Sequence, residues 1–275
     1  MKMTNLSKWM FPAILLLFVL AAPLKAQDDP KRAEPYFSTR EMPDLMKILP
    51  PPPDSIIHKF TYDVAQYMWG KEVRRDPVRG RIAVLDAEFS LDYIIQEFSG
   101  PFGLQISYEE TPEIYKVLRD GTNTCDKITA VPKMRYMRRR PFMVFNEPTA
   151  TPDKEPSLRR NGSFPSGHTV LGWSAALILT EINPAAADTL MARGYMYGES
   201  RVIVGAHWQS DVDAGYLAAT IAYAKLHTSD RFLEQMQKAR DEFKRLTGQT
   251  VAEPERRQPR AARRASRQAA RPRAY

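Results

Sequence analysis

A chain with one cysteine, Cys125, among 275 residues can close no intramolecular disulfide and build no thiolate metal site, so a packed core must hold it together. Long hydrophobic runs are nearly as scarce. Beyond residue 26 no stretch approaches the ~20 uncharged residues that a membrane-spanning helix requires. Sustained period-2 alternation and internal repeats are also lacking, which argues against a β-sheet protein or a solenoid. No acidic cluster suits magnesium and no histidine cluster suits zinc, so no cofactor or catalytic metal is expected. With 43% hydrophobic and 26% charged residues, collagen-like, coiled-coil and wholly disordered readings are excluded as well.

What is present is unevenly placed. The formal charge of +8 would suggest nucleic acid or an anionic membrane, but it lies in the ends. Residues 1–26 carry Lys2, Lys8 and Lys25 without an acid, and residues 253–275 carry eight arginines against Glu253 and Glu255. The stretch between them is close to neutral, and no nucleic acid is expected as a specific partner. Lys2 and Lys8 precede an apolar run from Trp9 to Ala22, and Leu24-Lys25-Ala26 offers a small residue before Gln27, the layout of a secretory signal peptide cleaved after Ala26. This predicts a periplasmic protein with no transmembrane segment after processing. Residues 27–48 read as an extended, proline-interrupted leader, 49–248 as the folded domain, and 249–275 as a disordered Arg/Ala/Pro-rich tail. That tail is either simply solvated or adheres to anionic surfaces such as lipid or polysaccharide.

Between Asp54 and Gly248 the punctuation is helical. Asp54 opens a segment with Ile57, Phe60, Val64, Tyr67 and Met68 on one side; Ser90 opens another; Thr111 followed by Pro112 marks a third, with proline at the first helical position. Ser166–Ile182, Ala185–Val204, Asp211–Leu226 and Ser229–Leu246 complete an all-α domain of roughly eight helices.

Three clusters carry chemistry. Lys133 is followed seven residues later by Arg140 and Pro141, bringing a point charge and a fork that fits two phosphate oxygens. Pro165-Ser166-Gly167-His168 is a turn entering an apolar helix, where the Ser166 hydroxyl and the N–H groups of Gly167 and His168 face an anion on the helix axis. Ser200 and Arg201 precede His207, which stands four residues before Asp211, so a helix starting near His207 would bring carboxylate to imidazole. Alone, each has a plain structural reading: solvated charge, a simple turn, a structural hydrogen bond. His58 and His227 have no such company and read as surface or helix-end residues. Arg135, Arg138 and Arg139 crowd Arg140, so charge alone does not single it out.

Taken together, the clusters resemble the type 2 phosphatidic acid phosphatase superfamily: Lys, six residues and Arg-Pro; then Pro-Ser-Gly-His; then Ser-Arg, five residues, His, three residues and Asp. All eleven positions are filled, in order. The wider text at Leu49–Pro53, Phe98–Gly103, Tyr136–Phe142, Asn161–Thr169 and Ser200–Asp213 is similar to the class A bacterial non-specific acid phosphatases, from about Leu49 to Leu246. Val204 stands where some of those relatives carry cysteine.

The resemblance implies a single helical-bundle domain of the phosphatidic acid phosphatase/haloperoxidase type that hydrolyses small phosphate monoesters without a metal, with transfer to alcohols as a side reaction. It implies His207 as a nucleophile forming a phosphohistidine, oriented by Asp211, and His168 as the acid for the leaving oxygen. It assigns Lys133, Arg140, Ser166, Gly167 and Arg201 to the phosphate. A vanadium haloperoxidase, a membrane-associated lipid phosphatase and a non-catalytic phosphate-binding protein share parts of the pattern. The second is disfavoured by the lack of spanning helices, the third by the presence of both histidines. A homo-oligomer is compatible with the sequence, which does not specify one.

Overall fold

The computed structural model describes residues 32–53 and 58–248. The expected signal peptide, leader residues 27–31, Asp54 with Ile57, and the tail 249–275 lie outside the described residues. Eight helices of nine residues or more carry the domain: α1 (His58–Val73), α2 (Pro77–Leu85), α3 (Leu91–Phe102), α4 (Pro112–Asp126), α5 (Gly167–Ile182), α6 (Ala187–Ile203), α7 (Gln209–Leu226) and α8 (Asp230–Thr247). Among the described residues there is no strand.

The central element is α5. Its sequence is apolar on every face, which a helix tolerates only when neighbours surround it, and it packs against α4, α6 and α7. Val170, Ile178, Leu179 and Ile182 are fully buried and Leu171 nearly so, together worth on the order of 10 kcal/mol of transfer free energy. Small residues bring α6 and α7 close: a β-carbon at Gly172 would stand 2.4 Å from Tyr197 Cδ1, and one at Gly198 2.4 Å from the Tyr216 hydroxyl. By contrast α8 is amphipathic, turning Phe232, Met236, Ala239 and Phe243 inward at three- and four-residue spacing.

Helix ends follow local chemistry, with informative exceptions. Ser90 and Ser229 accept hydrogen bonds from the N–H groups of Tyr93 (3.2 Å) and Phe232 (3.3 Å). At α4 the proline start is as expected, yet Thr111 makes no side-chain cap. Glu242 of α8 caps it instead, accepting from Glu113 N–H at 3.1 Å and Ile114 N–H at 2.9 Å. A helix that the sequence punctuation does not predict is α2, where Asp76 accepts from the N–H groups of Val78 and Arg79 and Pro77 takes the first helical position. Two further boundaries need correction. A 3-10 turn, Pro184–Ala186, precedes α6, and α7 starts two residues before Asp211.

The leader from residue 32 is not extended throughout, because Asp44 caps a one-turn helix at Leu45–Ile48. Ahead of that turn it lies on α4 and α8. Glu34 N–H donates to Asp120 (2.8 Å), Tyr36 N–H to the Thr124 hydroxyl (2.9 Å), and the Tyr36 ring meets Phe232 edge-on.

Candidate active site

The first cluster sits where the chain doubles back. Lys133 lies on a short helix, Ala130–Tyr136, ended by Met137 at φ 40°, and Arg140 precedes the next turn of helix, Pro141–Phe145. A β-carbon at Gly162 would approach the Lys133 carbonyl to 2.3 Å, so only glycine lets the following loop lie this close. Lys133 Nζ donates to the Gly162 carbonyl at 3.0 Å. The Arg140 guanidinium is buried and donates to the carbonyls of Leu158 (3.0 Å) and Ala206 (3.0 Å).

The second cluster forms the start of α5. Ser166 caps the helix through Thr169 N–H (3.3 Å), and its own N–H donates to the Asp211 carbonyl at 2.9 Å, tying the α5 and α7 starts together. His168 Nε2 lies 3.1 Å from the Ala87 carbonyl. A carbonyl only accepts, so Nε2 carries a proton and Nδ1 is the free nitrogen. Phe89 packs on this ring at 4.8 Å between centroids.

In the third cluster, His207 and Asp211 do meet, but not as helical neighbours. His207 precedes the α7 cap, and Asp211 in the first turn folds back, its Oδ2 accepting from Trp208 N–H at 2.9 Å and lying 3.3 Å from His207 Nδ1. On the other side of the ring, Arg140 Nη1 stands 2.8 Å from His207 Nε2.

A cavity of about 260 Å³ joins these parts, with Lys133, Arg140, Gly167, His168 and His207 in its wall. Ser166 and Arg201 do not line it, although Arg201 is close enough to act on both histidines. All three Arg201 guanidinium nitrogens are buried without a hydrogen-bond partner. Burial pulls Arg140 and Arg201 down to about 10, and burial followed by Arg140 pulls Lys133 well below the ordinary lysine range. Both histidines are held far below the usual imidazole value, by burial first and then by Arg140 for His207 and Arg201 for His168. The site therefore concentrates positive charge around two neutral imidazoles. Among the described residues no group of three or more His, Cys, Asp or Glu side chains is placed to hold a metal ion.

Comparison with known proteins identifies the family. Residues 123–232, spanning all three clusters, match the model of the PAP2 superfamily. The chain is 42% identical to the non-specific acid phosphatase of Providencia stuartii over 77% of this chain and 85% of that one. It is 39% identical to the non-specific acid phosphatase of Salmonella typhimurium over 83% and 91%, and 31% identical to the acid phosphatase of Zymomonas mobilis over 78% and 81%. The chain belongs to the non-specific acid phosphatases of the PAP2 superfamily.

Within this family member, three side chains that the sequence reading does not assign to the candidate site support or line it. Arg138 spans two buried carboxylates, donating to Asp211 at 2.6 Å and to Asp63 at 2.7 Å. Asp63, on α1, also accepts from the Ser210 N–H (2.8 Å) and hydroxyl (2.6 Å), holding the start of α7. Asp126, at the end of α4, stands in the cavity wall among the cations. His58 is exposed at the start of α1, and His227 ends α7 beside Glu181, both away from the cavity.

Proposed function

We propose that this acid phosphatase hydrolyses phosphate monoesters without a metal, through a phosphohistidine on His207. The observation that carries the reading is the 2.8 Å approach of Arg140 Nη1 to His207 Nε2. A guanidinium has only donors, so Nε2 must present a lone pair, while the Nδ1 proton faces Asp211. This is the tautomer a nucleophile needs, with cations in front of it.

An entering phosphoryl group draws Arg140, Lys133 and Arg201 onto its oxygens, joined by the Ser166 hydroxyl and the Gly167 N–H at the start of α5. With Arg140 turned to the phosphate, His207 Nε2 forms a bond to phosphorus as the ester P–O bond breaks. His168 gives its Nδ1 proton to the leaving oxygen, Nε2 being committed to Ala87. In the empty cavity burial first, and then the cations, keep His168 neutral; a phosphoryl dianion offsets the cations and lets it hold that proton. In the second step His168 takes a proton from water as the water oxygen attacks phosphorus, and the P–N bond breaks, returning its electron pair to His207. An alcohol in place of water gives phosphotransfer. The cations stabilise charge throughout.

Rapid quench with a radiolabelled aryl phosphate tests the assignment: label should appear on His207 and nowhere in the His207→Ala protein. Label on His168 would reverse the roles. We also read residues 1–26 as a signal peptide that sends the enzyme to the periplasm; sequencing the mature protein should begin at Gln27, and a membrane-bound product beginning at Met1 would refute export by cleavage.

A further inference from the structure

Among the described residues, Asp126 is the one acid in the wall of the phosphate cavity. Lys133, Arg140, His168 and the Gly167 N–H are donors, as an anion site requires, whereas Asp126 as a carboxylate can only accept. Its position leaves it no easy retreat. A β-carbon at Gly167 would stand 3.1 Å from Asp126 Oδ1 and 3.8 Å from Lys133 Cε, so the carboxyl lies against the first turn of α5, where the anion would sit. Oδ1 is buried and has no hydrogen-bond partner. A phosphoryl dianion also offers only acceptors, so two sets of acceptor oxygens would face each other at close range in a buried place. One proton between them converts the repulsion into a hydrogen bond.

We propose that Asp126 is a proton-carrying wall of the phosphate cavity: it takes up a proton from solvent as a tetrahedral dianion enters and donates it in a hydrogen bond to one anion oxygen, coupling affinity for the anion to pH. This rests on the reading of the cavity as the phosphoryl site. The charged and titratable groups facing Asp126 are Lys133 and Arg140 across the cavity, Lys127 beside it on the chain, and His168 from α5, with the Thr129 hydroxyl also at the carboxyl. Burial already raises the carboxyl above its ordinary range in the empty cavity, against the pull of Lys133 and Lys127. An anion that engages Lys133 weakens that pull and adds its own negative charge, both of which favour the protonated acid.

The test uses the full chain and sulfate, a tetrahedral anion that stays dianionic across the working pH range, so that any pH dependence belongs to the protein. Calorimetry in buffers of different ionisation enthalpy counts the protons taken up per sulfate bound. Asp126→Asn retains a donor that needs no proton. It should bind sulfate at least ~10-fold more tightly than wild type at about pH 8, a gain of about 1.4 kcal/mol, and take up about one proton fewer. Should the variant not fold, infrared difference spectra of the wild type supply the same information: sulfate should raise the carbonyl band of a protonated carboxylic acid. Wild-type protein that binds no sulfate would overturn the reading of the cavity and the proposal with it. Sulfate binding with unchanged proton uptake and affinity in Asp126→Asn, or without the acid band in wild type, would overturn the role of Asp126 alone.

Discussion

Arg138 does not line the cavity, yet its removal should damage both stability and chemistry. Its guanidinium side chain is 9% exposed and bonds two carboxylates that are fully buried, Asp63 at 2.7 Å and Asp211 at 2.6 Å. Removing one member of a buried ion pair typically costs about 3–5 kcal/mol, because the partner stays behind as an uncompensated charge. Two carboxylates are left behind here, so Arg138→Ala should fall at the upper end, about 5 kcal/mol, a large share of the ~5–15 kcal/mol that holds a domain folded. Urea denaturation measures it. The chemistry should change in a direction that general loosening would not produce. Freed from Arg138, Asp211 directs more of its charge at His207, the imidazole pKa rises, and the acid limb of kcat/KM moves to higher pH. Arg138→Lys keeps the charge but cannot fork across both acids, so it should recover more of the stability than of the pH profile. If Arg138→Ala costs under ~1 kcal/mol and its pH profile overlays that of wild type, Arg138 does not hold Asp211 in place.

The remaining expectations concern the cavity itself. His207→Ala should abolish turnover of every ester, whereas His168→Ala should slow alkyl phosphates by about 10²–10⁴-fold and nitrophenyl phosphate far less, since that leaving oxygen needs little protonation; equal damage to both substrates would remove His168 as the acid. Activity should survive a strong chelator and be inhibited by vanadate, which adopts the five-coordinate geometry of the transferring phosphoryl group, and loss on chelation that a divalent metal restores would refute the metal-free reading. Stability should also report the two depressed imidazoles. The folded protein keeps them neutral while the unfolded chain protonates them below about 6.5, so their contribution is complete above that pH and is lost as pH falls toward the folded values. Tm should therefore drop on acidification, less steeply in His168→Asn; an identical slope in both proteins would show that His168 is not buried neutral.

Local chemistry was legible in the text, and long-range closure was not. The start of α4 could be read from Pro112, but its cap, Glu242, lies more than a hundred residues away and nothing in the text points to it. Asp76-Pro77 is a readable helix start, but the Pro77–Leu85 stretch that follows it has only weak helical periodicity. In the site, Lys133, Arg140, Gly167, His168 and His207 could be found because each stands in a short patterned cluster, and the fold gathers all five around one cavity. Arg138 is two residues from Arg140 in a run of arginines, and what separates it from its neighbours is its contact with Asp63 and Asp211, 75 and 73 residues away. Asp126 carries no motif signal at all, being the last residue of a helix whose other acids are structural. The i,i+4 spacing of His207 and Asp211 was right about contact and wrong about its cause, since the helix begins only at Gln209.

The site is a place where folding and function pull apart. Arg140 and Arg201 are buried at 1% and 0% exposure, beside Lys133, and Arg201 has no hydrogen-bond partner in the empty protein. Buried like charges destabilise a fold unless something offsets them, and here the nearby acids, Asp126 and Asp211 for Lys133, Asp211 for Arg140 and Asp86 for Arg201, offset them only in part until an anion arrives. The scaffold tolerates this because the elements that aim the cations are anchored elsewhere: α5 by its apolar surround, α6 by close packing on Gly172 and Gly198, and the α7 start by Asp63 and Arg138. Donors gathered in a buried place before the substrate binds need only local turns, such as that of Arg140 away from His207, to meet the charge that develops on the phosphoryl oxygens. An anion in the cavity must then act on folding as well as on chemistry. At a hundred times its Kd it adds about 2.7 kcal/mol of stability, through the same guanidinium groups that weaken the empty state.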